Sequence, residues 1–445
     1  MTRMRAVSVS LILLLALPAG VRSADLLEVY RAAQSSDTVY AAARASWAAG
    51  QEKLPQGRAG LLPQATLTGG TQLNDRDFRS RDPSVANTSS RFNSNVFSLS
   101  VTQPLFRPQN MATYEQAKSQ VTQADAVFAL AAQDLILRVA AAYFDVLLAR
   151  NTVELAGAQL VAIGQQLEQA KRNFEVGTAT ITDTHDAQAR YDLTVSGEIA
   201  AKNDLEVKQR ALSQIIGRPV PALNTVGPRF TLADPQPNNM EAWVSEALAS
   251  NLQIAVARST LEFSVQEVAR NRAGHLPTVD AFATYSDTGS GIGGVGISGT
   301  DTSTRVIGLQ LAVPIYQGGG INSRVREALA NEEKARQDVE NARRTAEFST
   351  RQAFLGVTSG IAQVKALEAA LVSSQSSLDS TRLGQEVGVR TQVDVLNAQQ
   401  LLFQTRRDRA QAVYNYLMSL LRLKAAVGKL AEADIAQVNT WLDRP

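Results

Sequence analysis

Phe174-Glu175-Val176-Gly177, followed by Asp183, returns 211 residues later as Gln385-Glu386-Val387-Gly388, followed by Asp394. Landmarks on either side keep nearly the same offset. Leu62-Pro63 returns as Leu276-Pro277, Gln103-Pro104-Leu105-Phe106 as Val313-Pro314-Ile315-Tyr316, and Ile216-Gly217 as Val427-Gly428. Solenoid repeats have periods of roughly 20 to 50 residues, so a spacing this long marks a duplicated half-protein. The fold has to be one that two similar halves build together.

Arg3 and Arg5, the apolar run from Ala6 to Leu17, and then Pro18, Gly20, Ser23 and Ala24 have the form of a secretory signal peptide. Cleavage after Ser23 puts Val21 at the −3 position and cleavage after Ala24 puts Arg22 there; both sites stay open. The leader is too short to span a bilayer, and no later window is expected to hold the ~20 apolar residues that a membrane helix needs. The expected organisation is a signal peptide over 1–24, a first repeat over 25–217, a proline-rich connector over 218–239, a second repeat over 240–428 and a C-terminal segment over 429–445.

Removing Arg3, Arg5 and Arg22 from the 44 basic residues leaves 41 against 42 acidic ones, so net charge names no polyanionic partner. A nucleic-acid binder needs a basic stripe, and no such run is present. With no cysteine, disulfides, thiolate metal sites, a cysteine nucleophile and a lipid-modified cysteine anchor are all excluded.

Apolar residues fall at every seventh position from Val139 through Val146, Val153, Leu160 and Leu167 to Phe174. A second row, three residues on, reads Ala142, Ala149, Ala156, Ile163 and Ala170. Two such rows make a coiled-coil seam, and the small second row lets neighbouring helices approach closely. The spacing predicts one helix from Met111 to Val176, on the order of 100 Å long. Its copy runs from Ile321 to Val387, with Val357, Val364, Leu371 and Leu378 on the seam. Each ends at a Val-Gly suited to a left-handed C′ residue. A new helix then opens at Thr180 or Thr391, where the aspartate three residues on, Asp183 or Asp394, fits a capping box. Further helices over Leu26 to Gln56 and Met240 to Arg272 open the two halves.

Between the opening helix and the long one, each half changes texture. Phe97, Leu99 and Val101 alternate with Ser98, Ser100 and Thr102, and Ile307, Leu309, Leu311 and Val313 alternate with smaller or polar neighbours. Period two predicts strands, over Ala65 to Leu73 and Val96 to Phe106 in the first half and Val279 to Tyr285 and Arg305 to Tyr316 in the second. The intervening polar stretches, Asp75 to Asn95 and the glycine-rich Asp287 to Thr304, are expected to be long loops. Gly291, Gly293 and Gly296 match GxGxxG, but a dinucleotide site needs a helix opening on the last glycine, and a strand is expected instead. Four strands cannot close a membrane barrel, since bacterial barrels start at about eight, and open edges are forbidden in lipid. Either the strands form a sheet in water or several chains pool them; three chains would bring twelve.

At this point the residues resemble a known family. Leu61-Leu62-Pro63-Gln64, Ala142-Tyr143-Phe144-Asp145-Val146, Gly274-His275-Leu276-Pro277-Thr278, Leu311 to Gly319 and Tyr414-Asn415-Tyr416-Leu417, together with the Val-Gly and aspartate pairs, are similar to the TolC family of trimeric outer-membrane exit ducts. The resemblance covers essentially the whole chain after the leader. It implies a membrane β-barrel joined to a long α-helical coiled-coil barrel, with four strands per chain and one 12-stranded barrel per homotrimer. It further implies a duct through the outer membrane into the periplasm of a Gram-negative bacterium, with no cofactor. The partners it implies are a periplasmic adaptor (a membrane fusion protein) and an inner-membrane ABC or RND-type pump. The cargo would be type I secreted proteins, drugs or other small molecules.

Carried over by position, the resemblance places a periplasmic gate at Asp183, Arg390 and Asp394, with Gln166 as a hydrogen-bond partner. Asn397 stands where the family commonly has a second ring aspartate, Asp186 is its internal counterpart, and Gln385 stands where a tyrosine is expected. Val176, Gly177, Val387 and Gly388 match the adaptor-contact positions, and Pro104 and Pro314 the turn from barrel to helix. Asp183 and Asp394 also fit helix capping on local sequence alone, and the two roles are compatible. His185 and His275 lack a ligand set for a metal beyond Asp183 and Asp186. Three other classes are weighed. A periplasmic coiled-coil adaptor would carry lipoyl-like strands around one hairpin, a structural coiled-coil protein would need no strand pairs, and an enzyme would need a clustered nucleophile or base.

Overall fold

The computed structural model describes residues 24–294 and 297–443. Apart from Ala24, the expected leader lies outside the described residues, as does Gly296 of the glycine motif. Helices α1 (Leu26–Ser36), α2 (Thr38–Gln51) and α3 (Lys53–Ala59) lead to strands β1 (Gln64–Phe78) and β2 (Thr88–Phe106), then to α4 (Pro108–Glu175) and α5 (Ile181–Ile216). A short strand β3 (Thr225–Val226) sits in the connector. The order then recurs: α6 (Met240–Ser250), α7 (Leu252–Arg272), β4 (Thr278–Gly294), β5 (Ile297–Ala312), α8 (Gly320–Glu386) and α9 (Gln392–Val427). Helix α10 (Glu432–Asn439) and strand β6 (Leu442–Asp443), which pairs with β3, complete it.

The opening helices are not continuous, contrary to expectation. Asp37 ends α1 by donating its N–H to the Ala33 carbonyl at 2.8 Å and caps α2 by accepting the Tyr40 N–H at 2.7 Å. Asn251 does the same between α6 and α7, accepting the N–H groups of Gln253 and Ile254 at 2.9 and 3.2 Å. A short polar side chain that satisfies the orphan donors of a new helix can interrupt an otherwise apolar-periodic run. The expected long loops are corrected too. β1 runs on to Phe78 and β4 to Gly294, leaving 79–87 as the first turn and placing Gly291 and Gly293 in a strand. Polar cross-strand pairs sustain these extensions, as where Arg91 meets Asp75 at 2.9 Å.

The four long strands form one antiparallel sheet in the order β1-β2-β4-β5. The halves are therefore joined through β2 and β4, and β1 and β5 are left as edges with unpaired backbone groups. Such edges cannot face lipid. In a membrane, closure has to come from other copies of the chain; in water the sheet can stand open.

A core gathers where the long helices cross the first and last segments of the chain. Leu135, Val139, Tyr143, Phe144 and Leu147 of α4 pack with Leu26 and Val29 of α1, with Tyr416, Leu417 and Leu421 of α9, and with Leu223 of the connector. The Phe144 and Tyr414 rings stack at 5.7 Å. Tyr143 is fully buried and donates its hydroxyl to the Asn224 carbonyl at 2.8 Å, and burial pushes that hydroxyl's pKa up. Here α4 is apolar on nearly all sides, and this overturns one expectation: α4 and α8 do contain 18-residue windows apolar enough to cross a membrane, with mean hydropathy 1.5 and 1.2. In α4 the apolar excess reflects packing against several segments at once. The predicted seam otherwise holds as far as Ala170, whereas Phe174, its last member, is 43% exposed.

Candidate functional site at the helical tips

The candidate residues lie at the ends of two helical hairpins, α4/α5 and α8/α9. In each, the first helix stops at a glycine in the left-handed region, Gly177 with φ 78° and Gly388 with φ 80°. The second helix starts with a complete capping box. Asp183 accepts the Thr180 N–H at 2.9 Å and the Thr180 hydroxyl at 2.8 Å, while its own N–H donates to Thr180 Oγ1 at 3.2 Å. Asp394 repeats this with Thr391 at 2.9, 2.9 and 3.2 Å. The Thr391 N–H, the Thr391 hydroxyl and then the charge of Arg390 hold the Asp394 carboxyl below the usual carboxylate range. Capping thus secures the position of both aspartates and leaves their charge at the tip.

The other expected residues are dispersed around these caps. The Arg390 stem folds back over the preceding helix: a Cβ at Gly384 would lie 2.7 Å from Arg390 Cγ. Among the described residues its guanidinium has no ion-pair partner within 4.0 Å. Gln385 hydrogen-bonds Gln392 across the second tip. Gln166 is buried on α4, and its Oε1 has no partner among the described residues. Val176 and Val387 are 72% and 66% exposed, an apolar pair of tips facing solvent. Asp186 is exposed on α5 and Asn397 lies on α9.

Sequence reasoning missed Arg190. Its guanidinium donates to Asn397 Oδ1 at 2.8 Å and to Gln400 Oε1 at 3.4 Å, bridging the first hairpin to the second. The duplicated pattern pairs each residue with its own counterpart, so a bridge between non-equivalent positions leaves no mark in it. Asp186 and Arg190 line one side of a cleft of about 710 Å³ between the hairpins, and Leu396, Gln400 and Phe403 line the other.

At the opposite end, Pro104 lies within β2, two residues before its end, where the pairing with β4 shifts register. Pro314 follows the end of β5 in the irregular segment before α8. Arg107, just past β2, grips the buried Asp280 of β4 with two hydrogen bonds of 2.8 and 2.6 Å, a link between the halves that the sequence did not reveal. His275 Nε2 lies 3.0 Å from Asn322 Oδ1. Among the described residues no group of three or more His, Asp or Glu is placed to hold a metal.

The sequence profile described as outer membrane efflux protein matches residues 29–218 and 243–429, one span in each half. The chain belongs to the outer membrane efflux protein family. As a member of that family it is an exit duct in the outer membrane of a Gram-negative bacterium, and three copies of the four-stranded sheet close its barrel. This efflux protein is 33% identical over 428 residues to the outer membrane protein TolC of Vibrio cholerae, covering 96% of this chain and 95% of that one. It is 30% identical over 453 residues to the proteases secretion protein PrtF of Dickeya chrysanthemi, covering 98% and 96%. In fold it is similar to the Campylobacter jejuni CmeC outer membrane channel, with a TM-score of 0.78 at 18% identity over 94% of this chain and 90% of that one.

Proposed function

We propose that this efflux protein is a passive duct, not an enzyme, closed at its helical tips until a periplasmic adaptor and an inner-membrane ABC or RND-type pump engage them. The supporting observation is the division of each protomer. One end is a sheet with two unsatisfied edges, and the other, on the order of 100 Å away along α4, is a pair of capped tips with exposed Val176 and Val387. A duct that hydrolyses nothing takes its energy and most of its selectivity from the pump behind it. The relative named for protease secretion favours type I secreted proteins as cargo, and the family's description as an efflux protein favours drugs and other small molecules. Deleting the gene, then profiling secreted proteins and drug sensitivity together, assigns the cargo. No change in either profile would sink the proposal.

At the tips, Asp394 is the residue proposed to face the axis in three copies, with Asp183, Asp186, Asn397, Gln385 and Gln166 around it and Arg390 restraining the second hairpin. Like charges gathered at a narrow axis attract cations. Replacing Asp394 by Ala is expected to weaken cation block in single-channel recordings while the heat-resistant trimer persists, because a lost cap costs only about 1 kcal/mol locally. Arg390→Ser is expected to raise the resting conductance. Unchanged block in the first variant and unchanged conductance in the second remove both residues from the gate.

A further inference from the structure

Above the tips the two hairpins of one protomer part company. Among the described residues the last aromatic contact between them is the Phe144–Tyr414 stack, reinforced by Asn151 donating to the Tyr414 hydroxyl at 3.1 Å. Beyond it each hairpin has a small apolar cluster of its own: Leu167, Ala170 and Ala187 in the first, and Leu378, Val395 and Leu402 in the second. The cleft of about 710 Å³ lies between them. Among the described residues, the only side-chain hydrogen bonds that cross between the hairpins beyond Asn151, on the way to the tips, are the two donated by Arg190, to Asn397 and Gln400.

We infer that Arg190 is a strap: a positioning residue that holds the second hairpin against the first and so sets how readily the duct opens. The inference rests on the gate reading above but uses a residue outside that set. Three features fit a restraint that has to release. The donor is a cation, so each bond is stronger than a neutral one. Both acceptors are neutral amides, so no ion pair has to be broken when the hairpins separate. The bridge is also unmirrored: the internal counterpart of Arg190 is Leu401 and that of Asn397 is Asp186, so the duplication supplies no second strap. Each protomer is tied once, at a place where its hairpins otherwise share a cleft instead of a core.

The strap is tested on the full-length trimer in planar bilayers, with the heat-resistant trimer band as the control for assembly. Arg190→Ala and Asn397→Ala are each expected to raise the resting conductance about threefold to tenfold, the effect of losing one charge-assisted hydrogen bond from the closed state. The double variant is expected to do no more than the larger single, because the two residues act through one contact. Asn397→Asp, which turns the contact into an ion pair, should lower the resting conductance, and Arg190→Lys should restore part of the wild-type value. Additive single effects, or Arg190→Ala and Asn397→Asp both at the wild-type conductance, overturn the strap. Arg390→Ser and Asp394→Ala, measured alongside, separate the two ideas: a response there with silence at Arg190 overturns the strap alone, and silence at all four overturns the gate reading with it.

Discussion

The waist and the tips of this protein are made of the same two long helices, yet they are held together by different physics. At the waist α4 presses Tyr143, Phe144 and Leu147 into a core shared by the first helix, the connector, α9 and α10. Toward the tips the same helix offers Ala170 and Leu167 to a single partner, and polar groups such as Gln166 are buried beside them. Burying a large apolar side chain contributes about 1.5–3 kcal/mol, so the waist is built to stay shut. The tips rely on caps, one bridge and thin seams, and such regions open first. Rigidity and mobility are thus set along one helix by side-chain size.

Three substitutions would break or sharpen that contrast. Leu147→Ala removes a fully buried side chain from the waist and is expected to cost about 2–5 kcal/mol. Chemical denaturation of the trimer should show the loss as a lower midpoint, and a cost under about 1 kcal/mol would mean that the waist is not the anchor. Next comes the ion pair behind the α1/α2 break, where Arg138 donates to Asp37 at 2.8 and 3.1 Å. Arg138 first, and the Tyr40 N–H after it, hold the buried Asp37 carboxyl below the usual carboxylate range against the opposing effect of burial. A carboxyl with a depressed folded pKa adds stability above its unfolded pKa and loses it as pH falls through the folded one. Asp37→Asn keeps the cap and removes the charge. It should cost about 2 kcal/mol at neutral pH, and the difference from wild type should shrink below about pH 4; a gap that is constant with pH would disconnect the pair from acid sensitivity.

The smallest effect is expected at the tips. Gly388→Ala forces a Cβ onto a residue with φ 80°, where no atom lies within 4 Å of the added group, so the cost is conformational alone. About 1–2 kcal/mol should appear as faster hydrogen exchange around Val387 and Thr391, with the global midpoint unmoved. A fall in the global midpoint as large as that of Leu147→Ala would erase the distinction between waist and tip.

Long-range order was the legible part of the fold, because heptads and period-two alternation report directly on which face is buried. The seam from Val139 to Ala170, the left-handed glycines and both capping boxes follow from spacing alone. Local polar interruptions were not legible: Asp37 and Asn251 look like ordinary surface residues until their side chains are seen closing one helix and opening the next. The strand extensions were hidden for a related reason. Residues such as Asp75 and Arg91 have turn-like composition, but a strand with an open polar face accepts them. The bridges Arg107–Asp280 and Arg190–Asn397 join non-equivalent points of the two halves, and neither periodicity nor duplication encodes such a pairing.

The edges β1 and β5 carry one more consequence. No copy of this chain owns a finished wall, since each is completed by its neighbours. A cell that makes two versions of the protein is therefore expected to build ducts of mixed parentage, which affinity capture of a tagged copy with an untagged one would measure. In such a mixture one leaky copy opens a passage that two sound copies share, so a faulty tip should act dominantly in the cell even while the sound version is made in equal amount.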